Sequence, residues 1–560
     1  MPNNWQYINN VLNIKEKIVL FLLAFLFISA LVAWIGVAYF YFTKPIADFG
    51  GSYKEGMLSQ PAYINPVLSQ TSEVDSGLVQ LIYSGILKYN KEGELVNDLA
   101  ERYEISEDKK VYTVYLKKGV LWHDEEELTA DDVVFTVNVI NNPVYKSPLR
   151  QNWKGVKVEK VDDYTVKFSI DKPYFRFLNS LTLSILPKHI WENISAERFL
   201  LTEYNLKPIG SGPYQFADMQ KDSSGYVVSY NMKSFDEYFG GSAYISDFSF
   251  VFYDNEDALT DAYKKKEING IIGLSPEKLV NNDWGKNTNV NELNIPRYFA
   301  VFMNKNKSIP LANKNVRKAL LLGADNREIV NSILYGKAKC LNSPFLDDAK
   351  ECESSGYDPK LNLEEANRIL DEEGWKRGDD GVRVKDDAKL EFELLTTEWS
   401  ELTATAELLK QQWAELGVVV HVNALGAADL HQNYIRPKEY DAILYGQTTA
   451  FDPDMYFLWH SSQKRDPGIN FSNFENEEAD KILLEAREEI SRDSRIERYD
   501  KFEEILAEEN PAIFLYAPKY LYVISKNVEG VELESVNEIH HRFSDVSMWY
   551  TKTDRVLKNK

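Results

Sequence analysis

Any chemistry in this chain must come from a short list of side chains. There are seven histidines, His123, His189, His421, His431, His460, His540 and His541, and two cysteines, Cys340 and Cys352. A zinc hydrolase needs histidine and carboxylate ligands in a cluster, and no His-Glu-x-x-His occurs. His540 and His541 adjoin, but neighbours on a strand face opposite sides. A serine nucleophile needs a base and a Gly-x-Ser-x-Gly elbow; the nearest stretch, Ile209-Gly-Ser-Gly-Pro-Tyr214, lacks that spacing. Asp452-Pro-Asp454 sets two carboxylates two residues apart. On a strand they would share a face, as acid/base pairs do, while a turn with a helix cap is the commoner use of such residues. No P-loop and no Gly-x-Gly-x-x-Gly is present, so nothing asks for a nucleotide or another cofactor. The cysteines fit neither a metal nor a redox spacing; they either close one short loop or stay as two buried thiols. These residues offer no catalytic and no metal-ligating set, and the expectation is that the chain is not an enzyme.

Composition narrows the partners. The net charge is −22, and nucleic-acid binding needs Lys and Arg to replace counterions on phosphates, so that partner is excluded. With 560 residues the chain holds roughly 3–4 domains. Aromatics reach 13 %, with 33 Tyr and 11 Trp, residues that serve equally in cores and on ligand-binding surfaces.

One segment sets the compartment. Residues 18–43 (IVLFLLAFLFISALVAWIGVAYFYFT) carry no charge, and about 20 such residues cross a bilayer. Lys15 and Lys17 precede the run, Lys44 follows it, and Trp34, Tyr39 and Tyr41 lie in its second half, where interfacial aromatics sit. A cleaved signal peptide has an apolar stretch of only ~7–15 residues. The expectation is therefore a transmembrane anchor over 18–43, a cytoplasmic tail of 1–17, and the bulk of the chain on the extracytoplasmic side of the cell membrane. A disulfide is compatible with that side.

The exported part alternates helices and strands. Thr129-Ala-Asp-Asp132, Asp325-Asn-Arg-Glu328 and Asn362-Leu-Glu-Glu365 read as helix starts. Helical periodicity covers 404–416, 479–490 and 496–506, and strand-like runs occupy 111–116, 164–170, 298–303, 389–395, 418–425, 441–446 and 512–517. This mixture predicts an α/β fold with helices covering a sheet.

The ordered signal lies in residues 83–137. Tyr83-Ser-Gly85-Ile86-Leu87 is followed by Leu99-Ala100-Glu101, by Ile105-Ser106 with Asp108, by a strand into Leu116-x-Lys-Gly119, and then by Trp122-His123-Asp124 and Leu128-Thr129-Ala130-x-Asp132-Val133. The sequence continues with Gly210-Ser-Gly-Pro-Tyr214, Asn304, Val316-Arg317-Lys-Ala319-Leu320, Asp325-x-Arg327-Glu328, Leu334-x-Gly336, Tyr357-Asp-Pro359, Glu373-Gly-Trp375, Trp413-x-x-Leu416-Gly417-Val418, Tyr440-Asp441 and Asp452-Pro453. In this order and over roughly residues 50–548 the chain resembles the family 5 extracellular solute-binding proteins of ABC transporters, which include oligopeptide- and dipeptide-binding proteins. Two departures stand out. Glu125, Glu126 and Glu127 follow the Trp-His-Asp where the family usually has Gly. Gln447-Thr448-Thr449-Ala450-Phe451 holds no carboxylate where peptide binders often carry one for the ligand's α-amine.

The resemblance implies a periplasmic-binding-protein-like fold of class II, with two α/β lobes and an extra inserted domain. Mapped here, lobe I is 50–78, 209–297 and 526–548, the inserted domain is 79–208, and lobe II is 298–525, with hinge crossings near 297 and 525. It also implies capture of a peptide or peptide-like ligand by lobe closure, delivery to an ABC permease with separate ATPase subunits, and contact with the lipid bilayer through 18–43. The cleft residues it suggests are Thr71, Ser72, Glu73, Tyr298, Phe299, Trp399, Gln447, Thr448, Thr449, Asp452 and Asp454. Other readings of the same fold are a non-transport receptor or scaffold and a binder of a sugar or metal chelate; an exported hydrolase would need a nucleophile–base pair that is not found.

Overall fold

The computed structural model describes residues 12–91, 93–346, 349–352 and 358–558; Tyr357 and most of the 1–17 tail lie outside them. The apolar run forms helix α1 (Ile14–Phe42), 29 residues with none buried. It starts four residues before the charge-free run, because Asn13 and Glu16 make a capping box: the Asn13 side chain accepts from the Glu16 N–H, and the Glu16 carboxylate accepts from the Asn13 N–H at 2.8 Å. At ~1.5 Å per residue α1 is ~43 Å long, more than the ~30 Å of a hydrocarbon core. Thr43 ends the helix and begins β1 (Thr43–Asp48), which pairs antiparallel with the C-terminal strand Lys552–Leu557, from Thr43↔Leu557 to Asp48↔Lys552.

The rest is built on one continuous twelve-stranded sheet. On its first half lie β2 (Ser52–Leu58), β3 (Gly270–Ile272) and β4 (Thr288–Asn294); on its second half lie β5 (Arg297–Met303) and β6 (Ala442–Thr448). The strand joining the halves is β7 (Ala512–Ser525), 14 residues long. Its residues Ala512 to Tyr516 pair with β5, whereas Lys519 to Ser525 pair with β4. The chain therefore crosses between lobes at Ile295–Pro296 and again at Pro518–Lys519. The second crossing lies some seven residues before the 525 expected from the sequence, because one long apolar strand serves both lobes and its run of side chains carries no boundary mark.

Alternation on β5 builds two cores at once. Phe299, Val301 and Met303 face helices that include Lys314–Leu322, Pro359–Glu372 and Ser400–Ala414; Tyr298, Ala300 and Phe302 face the opposite layer, which holds α3 (Glu477–Glu488) and α4 (Arg492–Glu509). The inserted body packs into the first lobe's core. Its four-stranded sheet runs Ala100–Ile105, Val111–Leu116, Thr165–Ser169, Lys157–Asp162, and Tyr112, Val114 and Leu116 bury every second side chain. Cys340 and Cys352 are joined in a disulfide, so the loop and not the pair of thiols is the form present.

Two family-like motifs turn out to hold the framework. A Cβ on Gly210 would lie 1.9 Å from the Ile82 carbonyl oxygen, and one on Gly212 would lie 2.6 Å from the Leu81 carbonyl oxygen, so only glycine lets this segment approach the end of α2 (Glu73–Ile82). His123 clasps the same segment: Nδ1 accepts from the Gly210 N–H and Nε2 donates to the Gly212 carbonyl, each at 3.1 Å. Burial pushes this imidazole down to about 4, so it is neutral at pH 7.

A second buried device is a charge cluster under the sheet. Glu55 and Arg542 are both fully buried. Glu55 Oε1 accepts from Arg542 Nη2 at 3.2 Å and Nε at 3.3 Å, and Oε2 accepts from the Tyr522 hydroxyl at 3.1 Å and from the Tyr53 hydroxyl. Arg542 Nη1 also donates to the Ile539 carbonyl. Each polar atom named has a partner, which a buried ion pair requires.

Candidate functional site

Between the lobes lies a cavity of about 1180 Å³, large enough for a short peptide by the ~300–1,000 Å³ usual for small-molecule pockets. Three walls meet there. Ser69, Gln70 and Ser76 come from the first lobe; Trp153, Tyr174, Arg176 and Asn179 come from the inserted body; Thr448, Thr449, Asp454, Tyr456, Phe457 and Arg487 come from the second lobe. His540 and His541 close one side; burial pushes both imidazoles below their ordinary value.

The inserted body and second lobe touch across the opening. The Phe175 N–H donates to the Arg487 carbonyl at 3.4 Å, Arg495 lies 3.9 Å above the Phe175 ring, and Lys172 pairs with Glu488 at 3.6 Å. Arg487 is packed by the rings of Tyr174, Tyr456 and Phe457 at 4.5–4.8 Å, favourable faces for a guanidinium. Its Nε stands 3.3 Å from Asp454 Oδ2, close enough for ion pairing but not aligned as a hydrogen bond. Burial pushes the Asp454 carboxyl up, and Arg487 and Arg176 pull it back down. Burial and the nearby Asp454 push Tyr174 up to about 12.

Arg176 is different. It is half-buried on the cavity wall, its Nε is fully buried, and among the described residues no hydrogen bond and no ion pair engages its side chain. A buried guanidinium N–H without an acceptor costs free energy; Asp454 feels the Arg176 charge but makes no hydrogen bond to it, and three of the acids in the lining are engaged by other cations. Asp454 is taken by Arg487, Asp466 by Arg436 and Glu488 by Lys172.

The sequence-derived cleft residues divide. Thr448, Thr449 and Asp454 line the cavity. The Thr449 N–H donates to the Pro296 carbonyl at 2.6 Å, which ties the cavity wall to the first crossing. Gln447 lies in the wall behind, buried, accepting from the Tyr298 hydroxyl and donating to the Ile469 carbonyl at 3.1 Å. Tyr298 and Phe299 are core residues: Tyr298 is fully buried, and Phe299 stacks on Tyr516 at 5.2 Å. The resemblance suggested them for the cleft, but a central strand turns both its faces into packed layers. Asp452 lies outside the lining and is bonded to Arg495. Thr71, Ser72 and Glu73 fall between the lining residues Gln70 and Ser76 but are not themselves in the lining: Ser72 caps α2, and Glu73 accepts from the Tyr520 hydroxyl at 2.6 Å. Trp399 precedes helix Ser400–Ala414 and is 59 % exposed, outside the cavity. Arg176, Tyr174 and Arg487 were not foreseen; they stand in no recognisable motif, and only the tertiary fold brings them together.

The fold and the cavity are those of a two-lobed binding protein of periplasmic-binding class II with an inserted domain. Residues 94–468 match the model for bacterial extracellular solute-binding proteins, family 5, and the chain belongs to that family. Among characterised relatives it is similar to the oligopeptide-binding protein AppA of Bacillus subtilis, 28 % identical over 501 residues that cover 88 % of this chain and 91 % of that protein. Among solved structures it is similar to AppA of Bacillus subtilis in complex with a nonapeptide (27 % identity, TM-score 0.70, 90 % of this chain and 99 % of that one) and to NikZ of Campylobacter jejuni in complex with Ni(L-His) (27 %, 0.71, 89 % and 99 %).

Proposed function

We propose that this protein captures a peptide or peptide-like solute that carries a carboxylate, and hands it to an ABC permease driven by separate ATPase subunits. The carrying observation is Arg176: a half-buried guanidinium that faces the cavity and, among the described residues, has no hydrogen-bonded or ion-paired protein partner. A carboxylate accepts two parallel N–H bonds from such a group. The ligand's amine, by contrast, has no unpaired acid in the Gln447–Phe451 stretch; the hydroxyls of Thr448 and Thr449 are the polar groups that this stretch offers it. The relatives that bind oligopeptides support the solute class. Lobe I then comprises about 50–78, 209–297 and 519–548, the inserted domain 79–208 and lobe II 298–518. The two crossings act as the hinge, and the Phe175–Arg487 contact is part of the closed form. The chain acts without catalysis, and α1 remains as a single-pass anchor with the lobes outside.

A second reading is favoured by one observation: the NikZ complex is as similar to this chain as the AppA complex. A metal chelate built on an amino acid also presents a carboxylate and brings its own donors. Among the described residues no group of three His, Cys, Asp or Glu stands ready to hold a bare ion. Native mass spectrometry of the full chain, purified in detergent and then mildly denatured, tests both. Released peptides support the first reading, and a metal-bearing mass supports the second. A neutral carbohydrate overturns the carboxylate assignment.

A further inference from the structure

The ribbon of β1 and the C-terminal strand takes no part in the cleft, yet it is tightly joined to α1. Arg555 donates from Nε to Thr43 Oγ1 at 2.9 Å and from Nη2 to the carbonyls of Thr43 and Phe40 at 3.1 and 3.4 Å, and it lies 4.5 Å from the Phe40 ring. The Lys558 N–H donates to the Phe42 carbonyl at 2.8 Å. Last-turn carbonyls of a helix lack intrahelical donors; here the far end of the chain supplies them. The ribbon thus starts where the apolar span stops, with no linker between.

Its side chains are graded along its length. Beside α1 stand Lys44 and Lys558, both exposed, with Val556 and the 72 % exposed Leu557. Lys44, Val556 and Lys558 share one face by strand alternation. The acids Asp48 and Asp554 come farther along, and at ~3.4 Å per residue Asp48 is ~17 Å beyond Thr43. Among the described residues no acid pairs with Lys44 or Lys558. Lys558 Nζ instead lies 5.6 Å from the Tyr41 ring. In a chain of net charge −22, a basic and apolar edge that gives way to mixed charge away from the helix, where Asp48 faces Lys552, matches an anionic surface on one side only.

We propose that this ribbon rests on the extracytoplasmic leaflet and binds anionic phospholipid headgroups through Lys44 and Lys558, with Arg555 as the positioning residue that fixes both to the end of α1. The inference rests on reading α1 as a retained anchor. Basic residues beside a span attract anionic lipid, and the joint transmits that contact to the first lobe: the Gly50 N–H donates to the Tyr244 carbonyl at 2.7 Å, and Tyr244 packs on Phe49 and Tyr550.

The test uses the full chain released from micelles containing equal phosphatidylglycerol and phosphatidylcholine, with retained lipids identified by native mass spectrometry. The wild type is expected to keep phosphatidylglycerol preferentially, and K44Q/K558Q to lose about fivefold of that preference per lysine. K15Q/K17Q, at the other end of α1, controls for the opposite leaflet and leaves the ribbon's share in place. Equal retention of both lipids by the wild type, or an unchanged preference in K44Q/K558Q, overturns the ribbon proposal and leaves the anchor standing. An intact mass that lacks residues 1–42, from a protein that alkaline carbonate extracts from membranes, overturns the anchor reading and this inference with it.

Discussion

Glu55–Arg542 and Arg176 are two guanidinium sites, one sealed under a sheet and one half-buried on a cavity wall, and they are finished differently. Under the first lobe's sheet the carboxylate takes four bonds, two from Arg542 and one from each of two tyrosines, and the whole cluster is sealed. On the cavity wall Arg176 has no such set, although Asp454 is near enough to feel its charge. Desolvation weighs most on the sealed pair, whose side chains are fully buried; Arg176 is half-buried, with only its Nε sealed from solvent, and its open side is where a ligand can complete it. The contrast separates structural charge from ligand-binding charge without any appeal to motif.

Breaking the complete site should have the largest effect. Glu55→Gln leaves the Arg542 charge buried without compensation, and removing one member of a buried pair costs ~3–5 kcal/mol. Denaturant unfolding should show that loss, while ligand affinity measured below the transition stays near the wild-type value. A loss under ~1 kcal/mol would mean that the cluster tolerates an unpaired cation and that the contrast with Arg176 is not one of completeness.

The converse substitution should act on binding alone. Arg176→Gln removes a charged donor worth ~1.5–3 kcal/mol to a carboxylate, so affinity for a bound peptide acid should fall roughly 10- to 100-fold. Unfolding free energy should stay within ~0.5 kcal/mol of the wild type. The same peptide with its terminal carboxylate amidated should bind wild type and variant about equally. Equal wild-type affinity for acid and amide would place the ligand's carboxylate elsewhere.

These two sites also show what could be read in advance. The fold class, the family and the apolar helix were legible because they rest on many ordered residues: Trp122-His123-Asp124, Gly210-Ser-Gly-Pro-Tyr214 and the uncharged 18–43 run. The structure shows why the first two recur, since His123 clasps Gly210 and Gly212, and neither motif touches the cleft. Cleft residues were partly legible. Thr448, Thr449 and Asp454 line the cavity, whereas Tyr298 and Phe299, suggested on the same resemblance, belong to the core. Arg176 was not legible, because its meaning lies in a missing partner, and sequence does not display which donors find acceptors.

His123 offers a graded version of the same contrast: a core imidazole with both nitrogens satisfied. Its folded value is about 4 and its unfolded value near 6.5, so between these pH values the unfolded chain binds a proton that the folded chain refuses. Stability contributed above pH 6.5 is therefore lost as pH falls towards 4, by at most ~1.4 kcal/mol per pH unit. His540 and His541, also depressed, act in the same direction. Asp75, Asp98, Asp132 and Asp454, raised by burial, act oppositely. The difference between wild type and His123→Gln isolates the histidine: the variant, less stable at pH 7, should show the shallower loss between pH 6.5 and 4. Parallel curves would show that His123 is protonated in the fold.

The smallest effect is expected at Trp399, and it marks the outer edge of the site. Its size makes it an obvious cleft candidate from sequence, yet 59 % of it is exposed and it stands outside the cavity. Trp399→Ala should change stability by no more than ~0.5 kcal/mol and leave ligand affinity unaltered. Tyr174→Ala, by contrast, removes a cavity wall and one of the rings packed on Arg487, and should weaken binding severalfold through loss of a ~0.5–2 kcal/mol contact of that type. If Trp399 instead proved the more sensitive of the two, the ligand would have to extend past the Thr397–Ser400 end of the second lobe's sheet. The cavity seen here would then be only the inner part of a longer groove, with Arg176 holding the buried end of the ligand.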